Sequence, residues 1–136
     1  MADLSITAAN VLQTAGTSVS SGVASTAITR GQYIYTLANG TIGLADSNGT
    51  TPSNSITGCS LVDVSTGQTC FYVASDTSFT PGFSAVAGDT IWLSDTPGAA
   101  TKTYADIASG STVIALGLMT SSTVMKLSPL VGGVKP

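Results

Sequence analysis

Tyr33-Ile34-Tyr35-Thr36-Leu37-Ala38-Asn39-Gly40-Thr41-Ile42-Gly43-Leu44-Ala45 is the stretch whose reading decides the fold. Alternating runs rich in β-branched and aromatic residues flank Asn39-Gly40. That dipeptide is the strongest short-range sign of a hairpin, because a type I′ turn needs positive φ at both central positions. A two-residue turn there sets Leu37 opposite Ile42 and Tyr35 opposite Leu44. Tyr33, Tyr35, Leu37, Ile42 and Leu44 then share one face, which is expected to be core. No basic residue interleaves with these aromatics, so they are not read as a platform for stacked bases.

Outward from this hairpin the chain keeps the same texture. Asp46 to Thr57 reads as loop, with Asn48-Gly49 and Pro52 as punctuation. Ser60–Val64 and Thr69–Ala74 form a second hairpin around Ser65-Thr66-Gly67-Gln68. Gly88-Asp89 leads into a strand containing Ile91 and Trp92, which ends at Asp95-Thr96-Pro97-Gly98. Thr103–Gly110 is the candidate for a short helix, with Gly110 placed to end it. Thr112–Met119 and Thr123–Leu127 make a third hairpin, with Leu118 opposite Met125 and Leu116 opposite Leu127. Ile91, Leu116 and Leu118 join the expected core.

Short strands with frequent turns and no helices between them predict an all-β fold. The expected architecture is an antiparallel β-sandwich or small β-barrel of short hairpins, with an extended N-terminal arm and at most one short helix. The arm covers 1–27, a single β domain covers 28–130, and a loose tail covers 131–136. The arm is too rich in small and polar residues to hold a core alone. It lies along the body, pairs with a neighbouring chain, or stays mobile.

Composition narrows the function. The 136 residues include no histidine, and all seven acids are aspartates. General acid–base chemistry near neutral pH most often uses histidine or a carboxylate with a raised pKa. Scattered aspartates, and serines and threonines without a histidine partner, give no active site, so the chain is not expected to be an enzyme, a small hydrolase included. Four dispersed cations and a net charge of −3 argue against nucleic acid as a partner. Mean hydropathy is +0.39, yet no apolar run approaches the roughly 20 residues of a membrane-spanning helix, so a soluble protein without a membrane partner is expected. Only 8% of residues are charged, which leaves much neutral surface to bury against a partner at low desolvation cost. No secretory signal opens the chain, and synthesis in a cytoplasm is expected.

No cofactor or metal is expected. Asp46-Ser47-Asn48-Gly49 resembles the opening of a calcium loop but lacks a closing acid, and reads as an Asx-type turn. Cys59 and Cys70 fall on one face roughly 13 Å apart in the predicted register, too far for a disulfide, and read as buried free thiols. Trp92 with Asp89 or Asp95 is the candidate glycan-binding cluster.

The order of phrases along almost the whole chain resembles small capsid decoration proteins, also called cement proteins, of tailed bacteriophages. The phrases are Met1-Ala2-Asp3-Leu4-Ser5-Ile6-Thr7-Ala8-Ala9-Asn10-Val11, Arg30-Gly31-Gln32-Tyr33-Ile34-Tyr35, Leu44-Ala45-Asp46, Ala87-Gly88-Asp89-Thr90-Ile91-Trp92-Leu93-Ser94 with Asp95-Thr96-Pro97-Gly98, Tyr104-Ala105-Asp106-Ile107-Ala108-Ser109-Gly110, and Ala115-Leu116-Gly117-Leu118-Met119-Thr120-Ser121. The resemblance implies a structural protein on the outer surface of the virion capsid, made in the host bacterial cytoplasm. Its implied partner is the major capsid protein, whose neighbouring subunits it clamps. It also implies a homo-oligomer, with trimers near three-fold positions. Leu4, Ile6, Val11 and Leu12 are the expected apolar anchors of the arm at the capsid interface. The alternative is a head-fibre base or host-attachment module that binds a cell-surface glycan or receptor.

Overall fold

The computed structural model describes residues 3–49 and 54–136. Met1 and Ala2 of the expected arm lie outside the described residues, as do 50–53, with Pro52 of the expected loop. The strands are β1 (Ser20–Val23), β2 (Tyr33–Thr36), β3 (Ile42–Leu44), β4 (Gly58–Ser60), β5 (Thr69–Val73), β6 (Asp76–Phe79), β7 (Thr90–Leu93), β8 (Ala100–Thr101), β9 (Thr112–Met119) and β10 (Met125–Val134). They form two antiparallel five-stranded sheets, in the orders β1-β5-β4-β2-β3 and β6-β10-β9-β7-β8. The all-β expectation holds, and its two sheets make a sandwich.

Tyr33, Cys59 and Val73 of the first sheet meet Phe79, Ile91, Leu93, Ile114, Leu116 and Met125 of the second in one buried core. The first sheet is also covered outside. Ala24 and Ile28, with Val62 and Val64, pack over Ile34, Ile42 and Cys70 to form a smaller second core.

All three hairpins differ from expectation by one residue in register. Thr36 pairs with Ile42 and Ile34 with Leu44. The loop is therefore Ala38-Asn39-Gly40, a type I turn closed by Gly40 N–H donating to the Leu37 carbonyl. Gly40 at φ +86° supplies the left-handed residue of a G1 bulge. Asn39 instead accepts hydrogen bonds from the amide and hydroxyl of Thr41. A one-residue slip exchanges the faces of a strand. Tyr33 and Tyr35 thus face the inter-sheet core, whereas Ile42 and Leu44 join Ile34 in the outer one.

Cys59 pairs with Val73, which moves Cys70 to the opposite face. The two free thiols lie in different cores. The last hairpin pairs Met125 with Met119 and Lys126 with Leu118. Thr120 N–H donates to the Val124 carbonyl across a three-residue loop. Leu118, expected in the core, is 45% exposed, while Leu116 is fully buried. The difference arises at a bulge, because Ile91 pairs with Gly117 and Trp92 with Ala115, so β9 spends an extra residue there.

The expected helix is one 3-10 turn at Tyr104–Asp106, and a second such turn spans Ala8–Asn10. The stretch expected to be a loose tail runs as strand to Val134, and Lys135 exchanges backbone bonds with Gly110 and Ser111.

Candidate docking surface

The arm lies along its own body. Leu4 N–H donates to the Ala100 carbonyl at 2.8 Å and Thr7 N–H to Gly82 at 2.8 Å, and Leu12 exchanges two bonds with Thr80. Arg30 donates through Nη2 to the Val11 carbonyl, and Ser94 donates to Asp3. The four expected anchors separate accordingly. Val11 is fully buried in the inter-sheet core, so it is not an external anchor, and Leu4 and Ile6 pack half-buried against that core. Leu12 remains 56% exposed.

Asp76 latches the far end of the arm. Its carboxylate accepts the Thr14 amide and hydroxyl, each at 2.6 Å, and the Ser78 amide at 3.0 Å. Burial alone would raise its pKa, but the bonds from Thr14 and Ser78, with Thr17 assisting, hold it below the ordinary value. Asp95 is similar. Burial acts upward, and the Ser47 hydroxyl, the Ala108 amide, Ser111 and the charge of Lys135 bring the net shift downward. Asp46 shifts upward, mainly by burial and with a contribution from Asp95, although the Asn48 amide donates to it in the expected Asx turn.

These carboxylates hold loops together. Among the described residues no group of three or more metal-ligating side chains gathers. Asp89 accepts the Val86 amide, so both acids of the candidate glycan cluster cap backbone. Trp92 is half-buried and meets Tyr104 edge-on at 5.3 Å between ring centroids. Lys135 Nζ sits 4.5 Å over the Tyr104 ring and donates to the Tyr104 and Ile107 carbonyls. The aromatic pair thus anchors the end of β10 to the 104–107 turn.

The surface that stands out is the outer face of the second sheet. Strand register aligns Thr90, Leu118 and Lys126 in one row and Trp92, Ala115 and Leu130 in the next. Leu118 is 45% and Leu130 69% exposed. Between the rows lies a shallow cleft of about 310 Å³, with Gly117 at its floor. A Cβ at Gly117 would come 2.1 Å from the Lys126 carbonyl oxygen, so the close approach of β9 and β10 requires glycine. Lys126 is the one charged residue in these two rows. Unlike the first sheet, this face carries no second core over it among the described residues. A larger cleft, about 420 Å³, lies beside the arm and is lined by Ser5, Thr7, Thr80, Ser84 and other uncharged residues.

No family model, curated protein or solved structure matches this chain.

Strict alternation from Leu116 would place Leu118 in the core, so this face is hidden in the sequence pattern. The signal was present in Gly117, since a glycine between large apolar residues in a strand marks a bulge that resets the alternation.

Proposed function

We propose that the chain is a structural virion protein that binds the outer surface of a tailed-phage capsid and braces contacts between major capsid subunits. The observation that carries this reading is the exposed part of the outer face of the second sheet around Leu118 and Leu130, where Lys126 is the one charge in the two rows. The ordered series of phrases from Met1 to Ser121 that resembles cement proteins supports it. Burying the exposed parts of Leu118 and Leu130 is worth roughly 2–3 kcal/mol per copy. That is weak alone, but an array of subunits or a multivalent oligomer adds such contacts through effective concentration. This reading moves the contact from the arm to the sheet, with Leu12 as the exposed apolar residue among the four arm positions.

The test is sedimentation of purified protein with expanded heads stripped of decoration, with unexpanded proheads as control. The wild-type chain is expected to saturate expanded heads and raise their disruption temperature. Leu118→Glu is expected to melt like wild type yet bind at least tenfold more weakly. Absence of wild-type binding to expanded heads, together with binding to tails or cells, refutes the proposal.

A further inference from the structure

β10 outruns the strand beside it. β6 pairs with it only at Met125 and Leu127. Among the described residues, the same edge from Ser128 to Val134 has no strand against it, while the opposite edge stays paired with β9. Leu130, Val131 and Val134 on this stretch are 69, 47 and 65% exposed. None of residues 128–134 is charged.

Open edges of this kind are normally blunted by lysine, proline or a covering segment. Here prolines occur at 129 and 136 and leave the stretch between them with its amides intact. Within it, Val131-Gly132-Gly133-Val134 reads the same in both directions. Val131 and Val134 pair with Ile114 and Thr112, two residues apart, so a bulge at the glycines puts both valines on one side.

We propose that this edge pairs antiparallel with the same edge of a second copy, about a two-fold axis between Gly132 and Gly133. Val131 of each copy then lies opposite Val134 of the other, on the same side of the extended sheet, giving two equivalent pairs. The glycines meet at the centre, where even a Cβ at Gly133 would touch nothing within 4 Å of its own chain. The palindrome selects a second copy over an unrelated strand, since an antiparallel copy meets its own side-chain order. The exposed segment offers on the order of 300–400 Å² per copy, well under the roughly 800 Å² per partner of a standard interface, so the dimer is weak and concentration-dependent. The inference stands independently of the virion reading, and its two-fold symmetry differs from the expected trimer.

The experiment is sedimentation velocity over a concentration series, without heads. The apparent mass is expected to rise from the 13.5 kDa of one chain toward that of a dimer. Val131→Lys with Val134→Lys, both at exposed positions, is expected to weaken association at least tenfold with an unchanged melting curve. Register is tested by oxidation. A mixture of Val131→Cys and Val134→Cys chains should cross-link between the two kinds, and Val134→Cys alone should not. Wild type that stays monomeric, a trimer without a dimer, a lysine variant that associates like wild type, or equal self-cross-linking of Val134→Cys would each overturn the proposal. A monomeric wild type whose head binding is lost in the lysine variant overturns it too, and gives this edge to the capsid.

Discussion

Replacing Asp76 by alanine should unlatch the arm without disturbing the sandwich. The side chain is nearly buried and accepts hydrogen bonds from Thr14, Ser78 and Thr17, two of them at 2.6 Å from Thr14, which lies 62 residues away in sequence. Bonds to a charged acceptor contribute about 1.5–3 kcal/mol each. The Thr14 and Ser78 groups lie close enough to the surface for water to replace part of that. The expected net loss is about 2–4 kcal/mol, or a fall in Tm of roughly 6–12 °C for a domain of this size. Thermal unfolding measures the loss, and hydrogen exchange of the Leu12 and Thr14 amides locates it at the arm.

The same contact sets a pH dependence. The unfolded carboxyl titrates near 3.9, and in the fold it titrates lower. The latch therefore contributes fully above about pH 4 and is lost as pH falls through the lower folded value. Asp76→Asn should be less stable than wild type at neutral pH, with the gap closing toward pH 2. A loss within about 0.5 kcal/mol of zero, unchanged exchange at Leu12 and Thr14, or a gap that widens in acid refutes the latch.

Tyr33→Phe should stabilise the protein by about 1 kcal/mol, because the buried hydroxyl has no hydrogen-bond partner among the described residues and its removal relieves a desolvation penalty; a lower Tm contradicts this. Gly117→Ala should destabilise by about 2–3 kcal/mol, since the added carbon meets backbone at 2.1 Å rather than a movable side chain; denaturant unfolding would show it, and a neutral effect would mean that β9 and β10 separate easily. A disulfide between Leu12→Cys and Thr80→Cys, which occupy directly paired positions, should pin the arm and leave head binding intact. Loss of binding on oxidation, restored by reduction, would show that docking needs a released arm.

The fold class was legible because alternation and turn residues are local signals. Asn39-Gly40, Gly67 and Ser121-Ser122 each marked a real reversal. The register was not legible, because it depends on loop length. Asn-Gly suits a two-residue type I′ turn, and it also suits a three-residue loop in which Gly40 alone takes positive φ. The chain adopts the latter, and the choice is made by burial, which needs Tyr33 inside and Ile42 under Ile28. The same ambiguity of one residue decided whether Leu118 faced core or solvent, and with it the location of the candidate surface. The fate of the arm was equally hidden, since its hold on the body comes from Ala100, Gly82, Thr80 and Asp76, all distant in sequence.

That hold bears on how the proposed capsid contact would form. Peeling the arm away would expose Val11 completely and Leu4 and Ile6 in part, a loss of roughly 4–5 kcal/mol, before the Asp76 latch is counted. Together the two terms approach the about 5–15 kcal/mol that stabilises a typical domain. A detached arm would then be so rare that its apparent affinity for any partner falls by several orders of magnitude. The outer face of the second sheet requires no such step, because Leu118, Leu130 and the cleft between them are presented by the folded chain. Leu4, Ile6 and Val11 are thus better understood as closing the sandwich of their own chain, which leaves the proposed contact to surfaces that folding has already built.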